Sequence, residues 1–114
     1  MAKATSRRGA SRRSLQQAVQ VLRVIAHPLR VRLLERLERT QRPLSVTDLT
    51  HQLRQPQYAV SQHLTRMHLH GLLRRRQRGR EVFYTIADEQ IVDLLRWVRR
   101  YQQDDFWFED GEAI

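Results

Sequence analysis

Cysteine does not occur in the 114 residues of this chain. Disulfides, thiol redox chemistry and thiolate metal sites are therefore excluded. No apolar run approaches the roughly 20 residues that a membrane-spanning helix needs, and the amino end, MAKATSRRGASRRS, has no apolar core of the signal-peptide kind. A soluble protein, cytoplasmic if bacterial, is expected. Lysine is scarce too: every basic residue except Lys3 is arginine. Also missing are a nucleophile with its base, a phosphate-cradling glycine loop and paired carboxylates at catalytic spacing, so an enzyme is not expected. The length suits one domain, with a core too small for a large enclosed active site.

What the chain has is positive charge. Lysine and arginine number 21 against 12 aspartates and glutamates, a net charge of +9. Such a surface repels itself unless counter-ions or a polyanion neutralise it. Guanidinium groups also pair bidentately with phosphate and guanine edges. Charge alone does not separate a nucleic-acid binder from a generically basic protein.

The charge lies in blocks. Residues 1–14 carry Lys3, Arg7, Arg8, Arg12 and Arg13 with no acid in a Ser/Ala/Gly setting, which reads as a disordered basic arm. Residues 102–114 carry Asp104, Asp105, Glu109, Asp110 and Glu112 with no base, interleaved with Phe106, Trp107 and Phe108. This acidic aromatic tail is expected to dock in part on protein. The two tails cancel, so residues 15–101 hold the whole excess, 16 basic residues against 7 acidic ones.

In that middle segment Leu15, Ala18, Val19, Leu22, Ile25 and Ala26 follow helical spacing, widened by Val21 and Val24. So wide a stripe needs two packing partners. His27 before Pro28 breaks that helix, and Pro28 can open the next, which Leu29, Leu33, Leu34 and Leu37 carry to about Arg39. Ser45 and Asp48 form a capping box for a short third helix to about Leu53, with Leu44 and Leu49 as a hydrophobic staple. After a turn containing Pro56, Val60, Leu64 and Met67 give the buried stripe of a fourth helix, closed by Gly71 as a left-handed cap. Helix, tight turn, helix is the DNA-binding pair.

A hairpin from Leu72 turns at Gly79 and returns through Val82, Tyr84 and Ile86. A last helix runs from about Asp88 to Tyr101. Its apolar positions Ile91, Leu94, Leu95, Trp97, Val98 and Tyr101 exceed what one small core needs.

Opposite the apolar stripe of the fourth helix stand Gln57, Tyr58, Ser61, Gln62 and Thr65, flanked by His63 and Arg66. Glutamine can bond adenine in two places, arginine likewise guanine, and serine or threonine either base. A polar face by itself only keeps a helix soluble. Beside a helix-turn-helix and a basic hairpin it reads as a base-reading surface. The hairpin packs Arg74, Arg75, Arg76, Arg78 and Arg80 into seven residues. Arg76, Arg78 and Arg80, nearest the turn, are the candidates for phosphate or minor-groove contact. Protection of an edge strand would not need arginine so exclusively.

The run Val60, Ser61, Gln62, His63, Leu64, followed by Gly71, Leu72, Leu73 and the hairpin, resembles the recognition helix and wing of the ArsR/SmtB family of repressors. AHPLRVRLLERL resembles that family's second helix, LSVTDLTHQL its third, and the likeness covers about residues 15–101. It implies a winged helix-turn-helix, mainly α with a β-hairpin wing in the order α-α-α-α-β-β-α. It also implies a homodimer that represses an operon until an inducer lowers its DNA affinity. The sequence departs from the family at the sensor. Where arsenic- and cadmium-type members carry a CVC pair, this chain has Ser45, Val46 and Thr47, and neither hydroxyl is a competent soft-metal ligand.

Zinc- and nickel-type members take aspartate and histidine ligands from the final helix. Here that segment offers Asp88, Glu89 and Asp93 without histidine. No two of the five histidines have the i, i+4 spacing of ligands on one helical face. No metal or cofactor is expected. The signal is left open between a small organic molecule, another protein and none.

Burying the surplus apolar faces of the first and last helices against a second copy would use Leu15, Val19, Leu22, Leu94, Trp97, Val98 and Tyr101 and relate two recognition helices by a two-fold axis. An imperfect palindrome would then be the target. Two other readings use the same residues. One is an architectural DNA- or RNA-binding module with little sequence preference; the other is a protein-interaction adaptor working through its C-terminal tail.

Overall fold

The computed structural model describes residues 14–103, so the expected basic arm up to Arg13 and the tail from Asp104 lie outside the described residues. Helix α1 spans Leu15–Ile25, α2 Pro28–Thr40, α3 Val46–Leu53, α4 Gln57–Leu69 and α5 Gln90–Gln103. Strands β1 (Leu44–Ser45), β2 (Leu73–Arg78) and β3 (Glu81–Ile86) form an antiparallel sheet in the order β1-β3-β2.

Four of the five described helices start at a local side-chain cap. Ser14 opens α1 with a reciprocal box: its Oγ accepts from the Gln17 amide at 3.1 Å and the Gln17 side chain accepts from the Ser14 amide at 2.8 Å. His27 caps α2 through Nδ1, which accepts from the Leu29 amide at 3.1 Å, with Pro28 in the first helical position where its missing N–H costs nothing. Ser45 and Asp48 form the second box, at α3. Asp88 Oδ1 accepts from the Gln90 amide as α5 begins.

Helix α4 ends in a Schellman closure. The Leu72 amide donates to the Met67 carbonyl and the Gly71 amide to that of His68, with Gly71 at φ 79°. Because Leu72 is committed to this closure, β2 begins one residue later than the hairpin expected from sequence. It also runs on to Arg78, beside the turn at Gly79, whose φ of 62° suits a glycine-led hairpin turn.

One element was not expected. Leu44 and Ser45, besides the cap, pair with Tyr84 and Phe83 as β1, which makes the hairpin three-stranded at its base. The core gathers Val24 and Ile25 of α1, Leu33, Leu34 and Leu37 of α2, Leu49 and Leu53 of α3, Val60, Leu64 and Met67 of α4, the sheet's Leu44, Leu73 and Tyr84, and Ile91 and Leu95 of α5. A largely buried ion pair, Arg99 to Glu38 at 3.1 Å, ties α5 to α2. The Arg32 guanidinium reaches the Leu53 carbonyl at the end of α3 at 3.4 Å. Helix α4 itself packs on α1, α2, α3 and β2.

Candidate nucleic-acid interface

Helices α3 and α4 are joined by Arg54, Gln55 and Pro56. Arg54 takes the left-handed conformation at φ 55°, and its amide closes onto the Thr50 carbonyl, which reverses the chain within three residues. Pro56 at the N-cap of α4 offers no side-chain acceptor, so among the described residues the positive end of this helix is left without a side-chain cap.

The burial along α4 divides it cleanly. Val60, Leu64 and Met67 have no exposed surface, whereas Gln57, Tyr58, Ser61, Gln62, Thr65 and Arg66 are all exposed, Tyr58 by 72%. Spacings of four and three residues put the apolar set on one side, and the polar set falls opposite. Ser61, Gln62, His63, Thr65 and Arg66 line one open groove with Arg30 of α2 and Leu69. Leu69 escaped the sequence reading, since a leucine near the end of an amphipathic helix reads as core. Exposed here, it offers an apolar contact of the kind a thymine methyl accepts.

His63 differs from its neighbours on α4. It is half-buried, its Nδ1 accepts from Arg30 Nε at 2.9 Å, and its ring lies 4.4 Å from that of His27. Burial first, then the nearby His27 and Arg30, hold its pKa below the ordinary 6.5. His68 turns to the sheet, with Nδ1 3.1 Å from the Leu73 carbonyl and its ring edge-on to Tyr84. Neither arrangement was readable from spacing, because each partner is distant in sequence or on another element.

Strand register divides the wing arginines. Arg74, Arg76 and Arg78 stand opposite Thr85, Phe83 and Glu81, while Leu73, Arg75 and Gln77 stand opposite Ile86, Tyr84 and Val82. Alternation therefore puts Arg76 and Arg78 on one face together with Arg74, and Arg75 on the face that Tyr84 packs toward α4. Arg80 sits in the turn, and all five side chains are exposed. The sensor positions have other employment: Ser45 is buried as the α3 cap, and Thr47 is exposed on that helix. Among the described residues no three His, Asp or Glu side chains gather closely enough to hold a metal ion.

Residues 27–75, the segment that holds α2, the helix-turn-helix and the start of the wing, match the model of "Bacterial regulatory protein, arsR family". The transcriptional repressor PagR of Bacillus anthracis is 33% identical over 89 residues, covering 78% of this chain and 88% of PagR. This chain belongs to the ArsR family.

The PagR crystal structure superposes with a TM-score of 0.65 at 30% identity over 74% of this chain and 94% of PagR. HlyU from Vibrio cholerae gives 0.67 at 30% identity over 75% of this chain and 91% of HlyU. The SmtB repressor of Mycobacterium tuberculosis is 34% identical over 84 residues, 74% of this chain and 61% of SmtB. Fold and membership together make the protein a DNA-binding transcriptional regulator with a winged helix-turn-helix. No helix among the described residues is long and apolar enough to cross a membrane.

Proposed function

We propose that the protein is a cytoplasmic, dimeric repressor that binds an imperfect palindromic operator and acts by binding, without catalysis. The observation that carries this reading is the exposed polar face of α4 beside an arginine hairpin, on a core that buries the opposite face completely. In this reading Gln57, Tyr58, Ser61, Gln62, His63, Thr65 and Arg66 meet the major groove, and Arg76, Arg78 and Arg80 hold phosphates or enter the minor groove. Repression is favoured because PagR and SmtB are named repressors, although the related HlyU of Vibrio cholerae, 31% identical over 84 residues, is named an activator.

Dimerisation is supported by what the chain leaves uncovered. Leu15 (80% exposed) and Leu22 (53%) on α1, and Trp97 (60%) and Tyr101 (43%) on α5, are among the largest apolar side chains at the surface. Val19, Leu94 and Val98 lie half-buried along the same two helices. Apolar area of this kind is stabilised by removal from water, at about 25 cal/mol per Å², and a second copy would supply the cover. A thiol-bound metal is not the signal, since cysteine is absent, which leaves a small organic molecule, another protein or no signal at all.

The deciding experiment is fluorescence anisotropy on the DNA upstream of the protein's own gene against a scrambled duplex, over a salt series. Selective, saturable binding is expected. Equal binding to both duplexes, collapsing together with salt, would instead identify an architectural module. On the selected duplex, Gln62→Ala should cost about 1–3 kcal/mol while changing scrambled-DNA affinity little. Equal losses on both would remove Gln62 from the base-reading set. Arg78→Ala should weaken binding to both duplexes and lower the slope of log affinity against log salt by about one unit. A slope that stays at the wild-type value would show that Arg78 meets no phosphate.

A further inference from the structure

The groove beside α4 contains an arrangement that reading base edges does not require. Arg30 of α2 spans two elements with one guanidinium: Nη1 donates to the Val24 carbonyl in the last turn of α1 at 2.8 Å, and Nε donates to Nδ1 of His63 on α4 at 2.9 Å. The ring of His27, at the junction of α1 and α2, lies 4.4 Å from that of His63. Both imidazoles use Nδ1 as an acceptor, His27 toward the Leu29 amide and His63 toward Arg30. Neither ring can take a second proton without losing that bond. A proton on His63 would also place a positive ring beside the Arg30 guanidinium.

We infer that Arg30 is a positioning residue for the recognition helix, tying α4 to α1 through the neutral imidazole of His63, and that acid releases the tie. The inference rests on the reading of α4 as the DNA-contacting helix. It adds a link from α1, the helix proposed to pair with a second copy, to the helix that reads bases. Surrounding charges all act in one direction. His27 from the α1–α2 junction and Arg30 from α2 act on His63, Arg66 of α4 acts on Arg30, and among the described residues no carboxylate lines the groove to steady an imidazolium. The other ionisable groups of the elements packed on α4, namely Arg23 of α1, Arg32, Glu35, Arg36, Glu38 and Arg39 of α2, Asp48 and His51 of α3, and Arg74, Arg75, Arg76 and Arg78 of β2, do not line it.

Because His63 is held below its ordinary value, the unfolded chain takes up its proton first as pH falls. The His63 contribution to stability is therefore full above about 6.5 and is lost below that, down through the folded value. Near DNA the added charge would raise general affinity while the tie is lost. The ratio of selective to scrambled-duplex affinity, not affinity itself, is what acid should lower.

Two measurements test this on the full chain. The first needs no DNA: nuclear magnetic resonance of the Arg30 Nε, the His63 ring and the α4 amides, from pH 8 down through the His63 titration. The Arg30 Nε resonance should move to the position of a free guanidinium and the α4 amides shift together with the His63 titration, and Arg30→Lys should show the acid-like α4 positions already at pH 8. The second is the affinity ratio on the two duplexes. It should fall about tenfold in wild type once the pH is below the observed His63 titration and about tenfold in Arg30→Lys at pH 8, the order expected from one charge-assisted hydrogen bond, with the Arg30→Lys ratio then flat with pH.

Lysine keeps the charge, so a lysine variant with the wild-type ratio and pH profile would make Arg30 a phosphate contact and overturn the inference. Unmoved α4 amides in wild type would overturn it without any variant. Responsive α4 amides in a protein that binds all duplexes alike would support the tie while rejecting the DNA-reading role.

Discussion

Trp97→Glu is expected to yield a folded monomer whose affinity for the selected duplex is lower by two orders of magnitude or more. Trp97 is 60% exposed and stacks on Tyr101 with ring centroids 5.3 Å apart, so its replacement removes nothing from the core. In a paired arrangement the same side chain would be covered. A carboxylate there would be stripped of water on pairing, and the desolvation of a buried charge costs several kcal/mol. Loss of the pair turns two linked half-site contacts into one, and linkage of this kind is worth about 10²–10⁴ in affinity. Sedimentation equilibrium and anisotropy on the same samples check both parts. Wild-type protein that sediments as a monomer at micromolar concentration, or a dimeric Trp97→Glu variant, would end the dimer proposal.

The largest expected loss of stability is at Leu64. Its side chain has no exposed surface, and it sits in α4 between Val60 and Met67, which are equally buried. Truncation to alanine removes buried methyl groups and leaves a cavity, at a cost of about 2–5 kcal/mol. In a domain of this size each kcal/mol lowers the melting temperature by roughly 4–8 °C. Leu69→Ala, on the exposed side of the same helix, should change stability by no more than about 0.5 kcal/mol. Urea denaturation of both variants makes the comparison. If the two losses were similar, the assignment of faces on α4 would be wrong, and with it the set of residues presented to DNA.

Much of this architecture is legible in the sequence because its signals are local. Ser45 with Asp48, Pro28 after His27, and Gly71 after the stripe of Val60, Leu64 and Met67 each set a helix boundary through groups a few residues apart. Periodicity likewise separated the buried and exposed sides of α4, since a helix of fixed pitch leaves the polar positions nowhere else to go. Strand β1 was not legible. Two residues carry no periodicity, and Leu44 and Ser45 become a strand only because β3, some 40 residues later, lies alongside them. Register, too, needed both strands before Arg75 could be separated from Arg74, Arg76 and Arg78.

By itself, then, the sequence determined the class of partner, the starts of α1 to α3 and the side of α4 that meets solvent, all consequences of charge and of spacing along one chain segment. The last helix, expected from about Asp88 to Tyr101, instead runs Gln90–Gln103 because Asp88 is spent as its cap. Tertiary structure alone decided what His63 does. In sequence it is one more polar residue on a recognition helix. Its acceptor bond from Arg30, its contact with His27 and its lowered pKa exist only because α1, α2 and α4 converge there. Proton affinity and hydrogen-bond role depend on what lies within a few ångströms, and for this side chain those neighbours lie 33 and 36 residues away.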